Sequence, residues 1–389
     1  SARSGSGGAG TPDVSAQPVT ATDEASAAGI QETTRTWSAA VEDFNGDGWP
    51  DLFLNRHQWV ARLYINDNGH FSEVDAGSFT GADHHDCKAA DVNGDGKPDV
   101  FCSAGAARGT RVKSNDLRIQ GPDLTFSKVA DQAGVMDPFG RGRRIAFLDA
   151  NGDGHPDLFV GNEEFRPDGI PAPSRLFIND GMGSFHDAPR YGLDLELGSE
   201  CAGSYDYNGD GWGDLLVCTS LRGLRLYRND AGSGFTDVTD TTGLAGLRPA
   251  DATMADLNGD GALDVVEVSP TEVSVLLQQS DGTFAPAYQR PLEAGAWVAV
   301  GDANGDAVPD LYVLQGELDG VNADDVMLLN DGEGTSFTET PIPEASHGSG
   351  NVVYPIDHDL NGLTDFIVLN GEREANIGPV QLISFFPTT

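Results

Sequence analysis

DFNGDGWPD, residues 43–51, is the stretch on which the reading of this chain turns. Asp43, Asn45 and Asp47 place side-chain oxygens at alternate positions of a tight loop. Gly48 permits a sharp turn, the carbonyl of Trp49 can point inward, and Asp51 closes the loop with a carboxylate. Ligands at positions 1, 3, 5, 7 and 9 form an all-oxygen cage, which suits a hard cation. Ca²⁺ is expected over Mg²⁺, which keeps several waters and demands stricter octahedral geometry. The loop starts like an EF-hand, yet no Glu follows at position 12 and the chain continues as DLFL, a strand-like run. One such copy could equally be a plain Asp/Asn/Gly turn.

The copy is not alone. DVNGDGKPD (91–99), DANGDGHPD (149–157), DYNGDGWGD (206–214), DLNGDGALD (256–264) and DANGDAVPD (302–310) repeat it, and DHDLNGLTD (357–365) is a disguised seventh. Their starts are 48, 58, 57, 50, 46 and 55 residues apart, a period that fits a four-stranded propeller blade. The expected ligand sets are therefore Asp43, Asn45, Asp47, Trp49 and Asp51 in the first loop; Asp91, Asn93, Asp95, Lys97 and Asp99 in the second; and Asp149, Asn151, Asp153, His155 and Asp157 in the third. They continue as Asp206, Asn208, Asp210, Trp212 and Asp214; Asp256, Asn258, Asp260, Ala262 and Asp264; Asp302, Asn304, Asp306, Val308 and Asp310; and Asp357, Asp359, Asn361, Leu363 and Asp365. Positions 7 contribute only carbonyls. Ala307 stands where the other loops have a position-6 glycine, so the sixth loop is expected to be strained and the weaker binder.

Between loops the chain reads as strand, hairpin, strand: YINDNGHF (64–71), FINDGMGSF (177–185), YRNDAGSGF (227–235), LQQSDGTF (277–284) and LLNDGEGTSF (328–337). These are turn residues between alternating strands. From about residue 14 to the end the chain resembles the FG-GAP/VCBS repeat family, which includes the integrin α-subunit head and many bacterial extracellular proteins. The resemblance implies an all-β, seven-bladed β-propeller with four-stranded blades and about seven Ca²⁺. It says little of function, since one fold hosts many activities.

Residues 346–389 supply only three strands, whereas PVTATDEASAAGI (18–30) resembles the segment that follows Phe in other repeats, such as FTDVTDTTGLAG (235–246). An N-terminal strand is thus expected to complete the last blade, leaving no free sheet edge at the seam. One propeller over 14–389 follows, with residues 1–13, rich in Gly, Ser and Ala, as a flexible linker, lipoprotein tether or cloning remnant.

Formal net charge is −38, from 61 acidic and 23 basic residues. That field disfavours nucleic acid and anionic membranes as partners and favours bound cations. No run of about 18 apolar residues is present, so no segment is expected to span a bilayer. Cys87 and Cys102 flank the second loop and Cys201 and Cys218 the fourth, at nearly equal distances from the loop centres. Two hairpin disulfides, hence a secreted or cell-surface (extracellular or periplasmic) location, are the expectation; four buried thiols are the alternative.

The integrin-like arrangement puts the carboxylate loops on the bottom face. On top lie the residues entering each first strand: Trp37, His84, Arg141, Arg143, Glu200, Asp251, Trp297 and His347. Arg108, Arg111, Arg166 and Arg175 fall in long top loops, and 15 of the 19 arginines lie between Arg35 and Arg228. Arginine pairs bidentately with carboxylates, and aromatic plus Arg suits an anionic sugar. Trp37, His84, Arg108, Arg111, Arg143, Arg166, Arg175 and Glu200 are therefore candidate ligand-binding residues on a module recognising an extracellular glycan or protein. The plainer alternative is that these arginines solvate loops. A second function class is a uronate-type polysaccharide lyase, with His84, His85, Arg143 and Tyr354 as its candidates; no hydrolase, protease or nucleotide-binding motif is present. The eight histidines form no constellation visible in the sequence.

Overall fold

The computed structural model describes residues 18–388, apart from 76–78, 80–81, 106–113, 139, 164–168, 170–171, 190, 196–197, 319–320, 343–349 and 372–377. Seven four-stranded antiparallel sheets make up the fold. Blade one is Thr36–Glu42, Asp51–Arg56, Arg62–Asp67 and His70–Val74. Blade two is His84–Ala90, Asp99–Ala104, Asp116–Gln120 and Phe126–Lys128; blade three is Gly142–Leu148, Asp157–Asn162, Arg175–Asn179 and Phe185–Asp187. Blade four is Cys201–Tyr205, Asp214–Thr219, Gly223–Asn229 and Phe235–Asp237; blade five is Asp251–Ala255, Asp264–Ser269, Glu272–Gln278 and Phe284–Pro291. Blade six is Gly295–Gly301, Asp310–Gln315, Val326–Asn330 and Phe337–Pro341. Blade seven is Gly350–Ile356, Asp365–Asn370, Gln381–Pro387 and Val19–Asp23.

The second strand of each blade decides the packing. It is apolar on both faces, as DLFLNR and DFIVLN illustrate, and buried along its length. Successive side chains point to opposite faces, so alternate residues serve alternate neighbours. Leu52 and Leu54 join the core shared with blade seven, whereas Phe53 between them joins the core shared with blade two. The buried apolar residues form seven clusters, one at each blade–blade interface.

The seam closes as the sequence implies. Val19–Asp23 pairs antiparallel with the last strand, from Val19 opposite Pro387 to Asp23 opposite Ile383. Val19 and Ala21 are buried in the core between blades six and seven, and Ala25, Ala28 and Ile30 in the core between seven and one. Cys87–Cys102 and Cys201–Cys218 are disulfides between directly paired residues of first and second strands.

Five first strands carry a one-residue bulge near their start, at Trp37, His85, Arg143, Ala296 and Asn351. This corrects two expected equivalences. The residue matching Trp37 and Arg143 is His85, not His84, and in blade six it is Ala296, not Trp297. An extra residue in one strand of a pair reverses the inward–outward parity upstream of it; a glycine precedes the bulge at Arg143, Ala296 and Asn351 but not at Trp37 or His85.

Candidate functional site: the carboxylate loops and the channel mouth

Each carboxylate loop is wrapped around its own first residue. Asp43 Oδ1 accepts from the amides of Gly46 (2.7 Å) and Asp47 (3.1 Å), and Oδ2 from the Gly48 amide (2.8 Å). Asn45 Oδ1 accepts from Asp47 N and Asp47 Oδ1 from Trp49 N, both at 2.9 Å. The bond from the position-6 amide to the position-1 carboxylate recurs in all seven loops, at 2.7–3.0 Å. The sixth loop keeps it through Ala307, held at φ 66°. A β-carbon in that left-handed region costs roughly 1–2 kcal/mol, so the expected strain is present while the loop shape is retained.

Position 9 is a fully buried hinge. Asp51 accepts from the amides of Phe44 in the loop and Asn66 at the end of the third strand, both at 2.8 Å. Burial first, then the charges of Asp47 and Asp43, push its carboxyl up to about 6, against the lowering effect of the two amides. The same causes push Asp99 and Asp157 to about 6, Asp214 and Asp310 to about 7, and raise Asp264. In the seventh loop Asp365 Oδ1 is buried without a partner and His358 Nδ1 sits on Oδ2. Among the described residues the first six loops hold three carboxylates each with no lysine or arginine ion-paired to them. An all-oxygen donor set with this uncompensated charge fits a hard dication such as Ca²⁺, and each carboxylate has a lone pair beyond those its amides occupy.

A second ring of contacts lies beside the loops, at the third-strand position read from sequence only as hairpin. The Asn66 carboxamide donates to the His358 carbonyl of blade seven at 2.8 Å. Gln120 does the same to Phe44 (2.7 Å), Asn179 to Val92 (2.8 Å), Asn229 to Ala150 (3.1 Å), Gln278 to Tyr207 (3.1 Å) and Asn330 to Leu257 (2.8 Å). Each acceptor is position 2 of the preceding blade's loop. These six carboxamide clasps tie every loop but the sixth to the next blade. In blade seven the corresponding residue is Phe385, which has no such donor.

At the opposite end, the bulges deliver side chains to the channel mouth. Trp37 stacks on His57, from the end of blade one's second strand, at 3.9 Å and 6°. His85 meets the Trp37 ring edge-on at 4.3 Å. Asp83 Oδ1 lies 2.8 Å from His57 Nε2 and 3.4 Å from His85 Nε2. Burial pushes His85 down to about 3, so its imidazole is neutral. This cluster was missed in the sequence: neither the stacking nor the approach of His57 to the loop entering blade two leaves a signal in spacing.

The remaining candidates separate. Arg143 is at the mouth beside His85, and both Arg141 and Arg143 converge on Glu163 Oε2. Glu200 is nearby, its carbonyl accepting from Arg144 Nε at 2.7 Å. Arg175 is drawn away to Asp187 (2.9 Å) on the outer strand and to Asp137. His84 is buried off the mouth among Asp116, Lys128 and Arg118, and burial pushes it down to about 4. Arg108, Arg111, Arg166 and His347 lie outside the described residues. Deeper in, the channel is plugged. The Arg144 guanidinium of blade three lies 4.4 Å from the Trp297 ring of blade six, spanning the axis. Asp86 and Asp251 accept from the Ile145 and Val298 amides of the next blades. Tyr354 is half-buried near Asp86 and Asp251, and desolvation holds its hydroxyl far above the usual phenol range.

A seven-bladed propeller with an oxygen-lined loop at the foot of every blade is the class that fold and sites define. A profile for the FG-GAP-like repeat matches residues 43–102, 149–217, 206–267 and 256–313. The chain belongs to that family, whose propellers are in general ligand-binding modules and typical of extracellular proteins. A search among curated proteins finds no match. Among solved structures the chain is similar to one in the crystal structure of BBS1N in complex with ARL6DN, soaked with lead, with a TM-score of 0.59 at 9% identity. That match covers 97% of this chain and 99% of the other, and it bears on the fold alone. No helix among the described residues is long and apolar enough to cross a membrane.

Proposed function

We propose that this chain is a secreted or cell-surface, calcium-stabilised recognition module that binds a carboxylate- or sulfate-bearing glycan or protein at the channel mouth of blades one to four. The observation that carries the reading is the convergence of two guanidiniums, Arg141 and Arg143, on one oxygen of Glu163. Their pairing gathers two guanidiniums at the mouth beside Trp37, His85 and Glu200, a set that an incoming carboxylate or sulfate can engage. Arg175 contributes least, being already paired. About seven Ca²⁺, one per loop, would supply the positive charge that the carboxylate loops lack, so a part of the chain's acidity is structural and leaves the mouth to its own local charges.

The test is a panel of anionic polysaccharides (heparin, hyaluronan, polygalacturonate) against neutral dextran, read by calorimetry. Losing one desolvated charge-assisted pair costs about 1.5–3 kcal/mol, roughly 10- to 100-fold in affinity. Arg143→Ala should weaken binding by that factor with calcium content and melting temperature unchanged. An affinity within twofold of the parent would place the ligand elsewhere. A lyase in the same mouth would instead release unsaturated uronate, seen as new ultraviolet absorbance. Of the four lyase candidates, His84 is buried off the mouth and Tyr354 sits half-buried deeper in, beside Asp86 and Asp251, leaving His85 and Arg143 at the mouth itself.

A further inference from the structure

We infer that His57, Asp83 and His85 form a binding site for one transition-metal dication such as Zn²⁺, distinct from the carboxylate loops and at the other end of the channel. Their donor atoms all lie within 4.8 Å of one another. The His85 Nε2–Asp83 Oδ1 separation is 3.4 Å. Zinc bonds of about 2.0–2.1 Å in a tetrahedron require ligand–ligand edges of about 3.3–3.4 Å. The His57–Asp83 edge, 2.8 Å, needs to open by about half an ångström to match. Two imidazoles and one carboxylate are the donors zinc and its neighbours in the transition series prefer, whereas calcium takes oxygen alone.

The ligands stand on a built frame. His57 N donates to the Arg35 carbonyl at 2.9 Å, and Gly105 N to the Asp83 carbonyl at 2.7 Å. The His57 ring is clamped flat against Trp37, and the bulge aims His85 at the same point. A second observation concerns Gly105. Its backbone is outside the left-handed region, so conformation does not require a glycine there. Space does: a β-carbon would lie 2.3 Å from His85 Nε2 and 3.3 Å from Asp83 Oδ2. The glycine thus clears the ground on which the two ligands meet. Three protein ligands leave the fourth position of a tetrahedron open.

The experiment uses the full chain, stripped of metal and returned to excess CaCl₂ so that the loops are filled, then titrated with ZnCl₂ against a chromophoric chelator. One equivalent of Zn²⁺ should bind with sub-micromolar affinity, and Co²⁺ in its place should give the intense visible absorption of a tetrahedral site. His85→Gln and Asp83→Asn should each weaken zinc at least 100-fold while calcium content is unchanged. Gly105→Ala removes no ligand and should weaken it at least tenfold; it carries the test if the ligand variants fail to fold. Absence of a one-equivalent zinc phase in the parent overturns the site. So does zinc binding that survives His85→Gln or Gly105→Ala undiminished, since the metal would then sit on the loops.

Discussion

Replacing Asn179 by Ala probes what the carboxamide clasps contribute. The side-chain amide donates to the Val92 carbonyl of blade two at 2.8 Å and to the Pro156 carbonyl of its own blade at 3.1 Å. Its oxygen accepts from the buried Gly181 N at 3.1 Å. The substitution leaves the backbone bond to Asp157 intact. The loss therefore falls on two carbonyls, one of them in the buried blade interface, and on the Gly181 amide. Leaving a buried polar group unpaired costs about 1–3 kcal/mol, so Asn179→Ala should destabilise the protein by about 2–5 kcal/mol. A chain of this length loses less temperature per unit free energy than a small domain, where 1 kcal/mol is worth about 2–4 °C at 150–250 residues; the melting temperature should fall by roughly 3–10 °C. Calorimetric melts in calcium are the assay. Asn179→Gln is the control, because Gln120 and Gln278 make the same inter-blade bond in blades two and five. It should fall between parent and Ala. Isotherms should further show that calcium weakens at the second loop, which holds Val92, before the third. If Asn179→Ala melts within a degree of the parent, or Gln is no better than Ala, the clasps are incidental.

Elemental analysis of protein never exposed to chelator should find close to seven calcium ions, and two or fewer would remove the cage assignment for most loops. The position-9 carboxyls titrate in the calcium-free fold well above the unfolded value of about 3.9. Their ionisation therefore opposes folding, and their contribution is most favourable at low pH and lost as pH rises through about 6–7. Calcium-free protein should melt higher at pH about 5.5 than at about 7.5, and saturating calcium should flatten or reverse that trend; a calcium-free melt that falls on acidification over this window contradicts the assignment. Deleting residues 18–30 should abolish the monomeric fold or cause aggregation on size exclusion, because the last strand loses its partner and five buried side chains leave two cores; a truncated protein that melts like the parent rules out that seam. Converting Cys201 and Cys218 together to Ala should cost about 2–4 kcal/mol, and reductant, which also opens Cys87–Cys102, should cost the parent more.

Fold, blade count, seam and disulfide pairing were legible because each is carried by spacing. Seven loops at a near-constant period can be counted, and Cys87 and Cys102 sit symmetrically about their loop. The mouth was not legible to the same degree. Its residues are placed by bulges, and those at Trp37 and His85 insert one residue without any glycine or proline to mark them, so His84 and His85 exchange roles. His57 joins the mouth from a different strand, through a stacking contact with Trp37. The clasps did leave a signal that was passed over. An Asn or Gln ends the third strand of six blades, and reading NDG as a turn accounted for the residue without asking what its side chain reached.

The seam also has a mechanical consequence. The two strands that close the ring run antiparallel with their outer ends together: Val19 faces Pro387, and Thr388 N donates to the Pro18 carbonyl at 2.9 Å. Tension applied between residues 18 and 388 would pull on this ladder from one end and peel it a bond at a time, rather than shear all its bonds together. The same propeller hung by a single end carries no load across the closure. The ring is thus easily unzipped when both of its ends are pulled apart, and a tether through one end, or through two ends fixed side by side, is the attachment that leaves it intact.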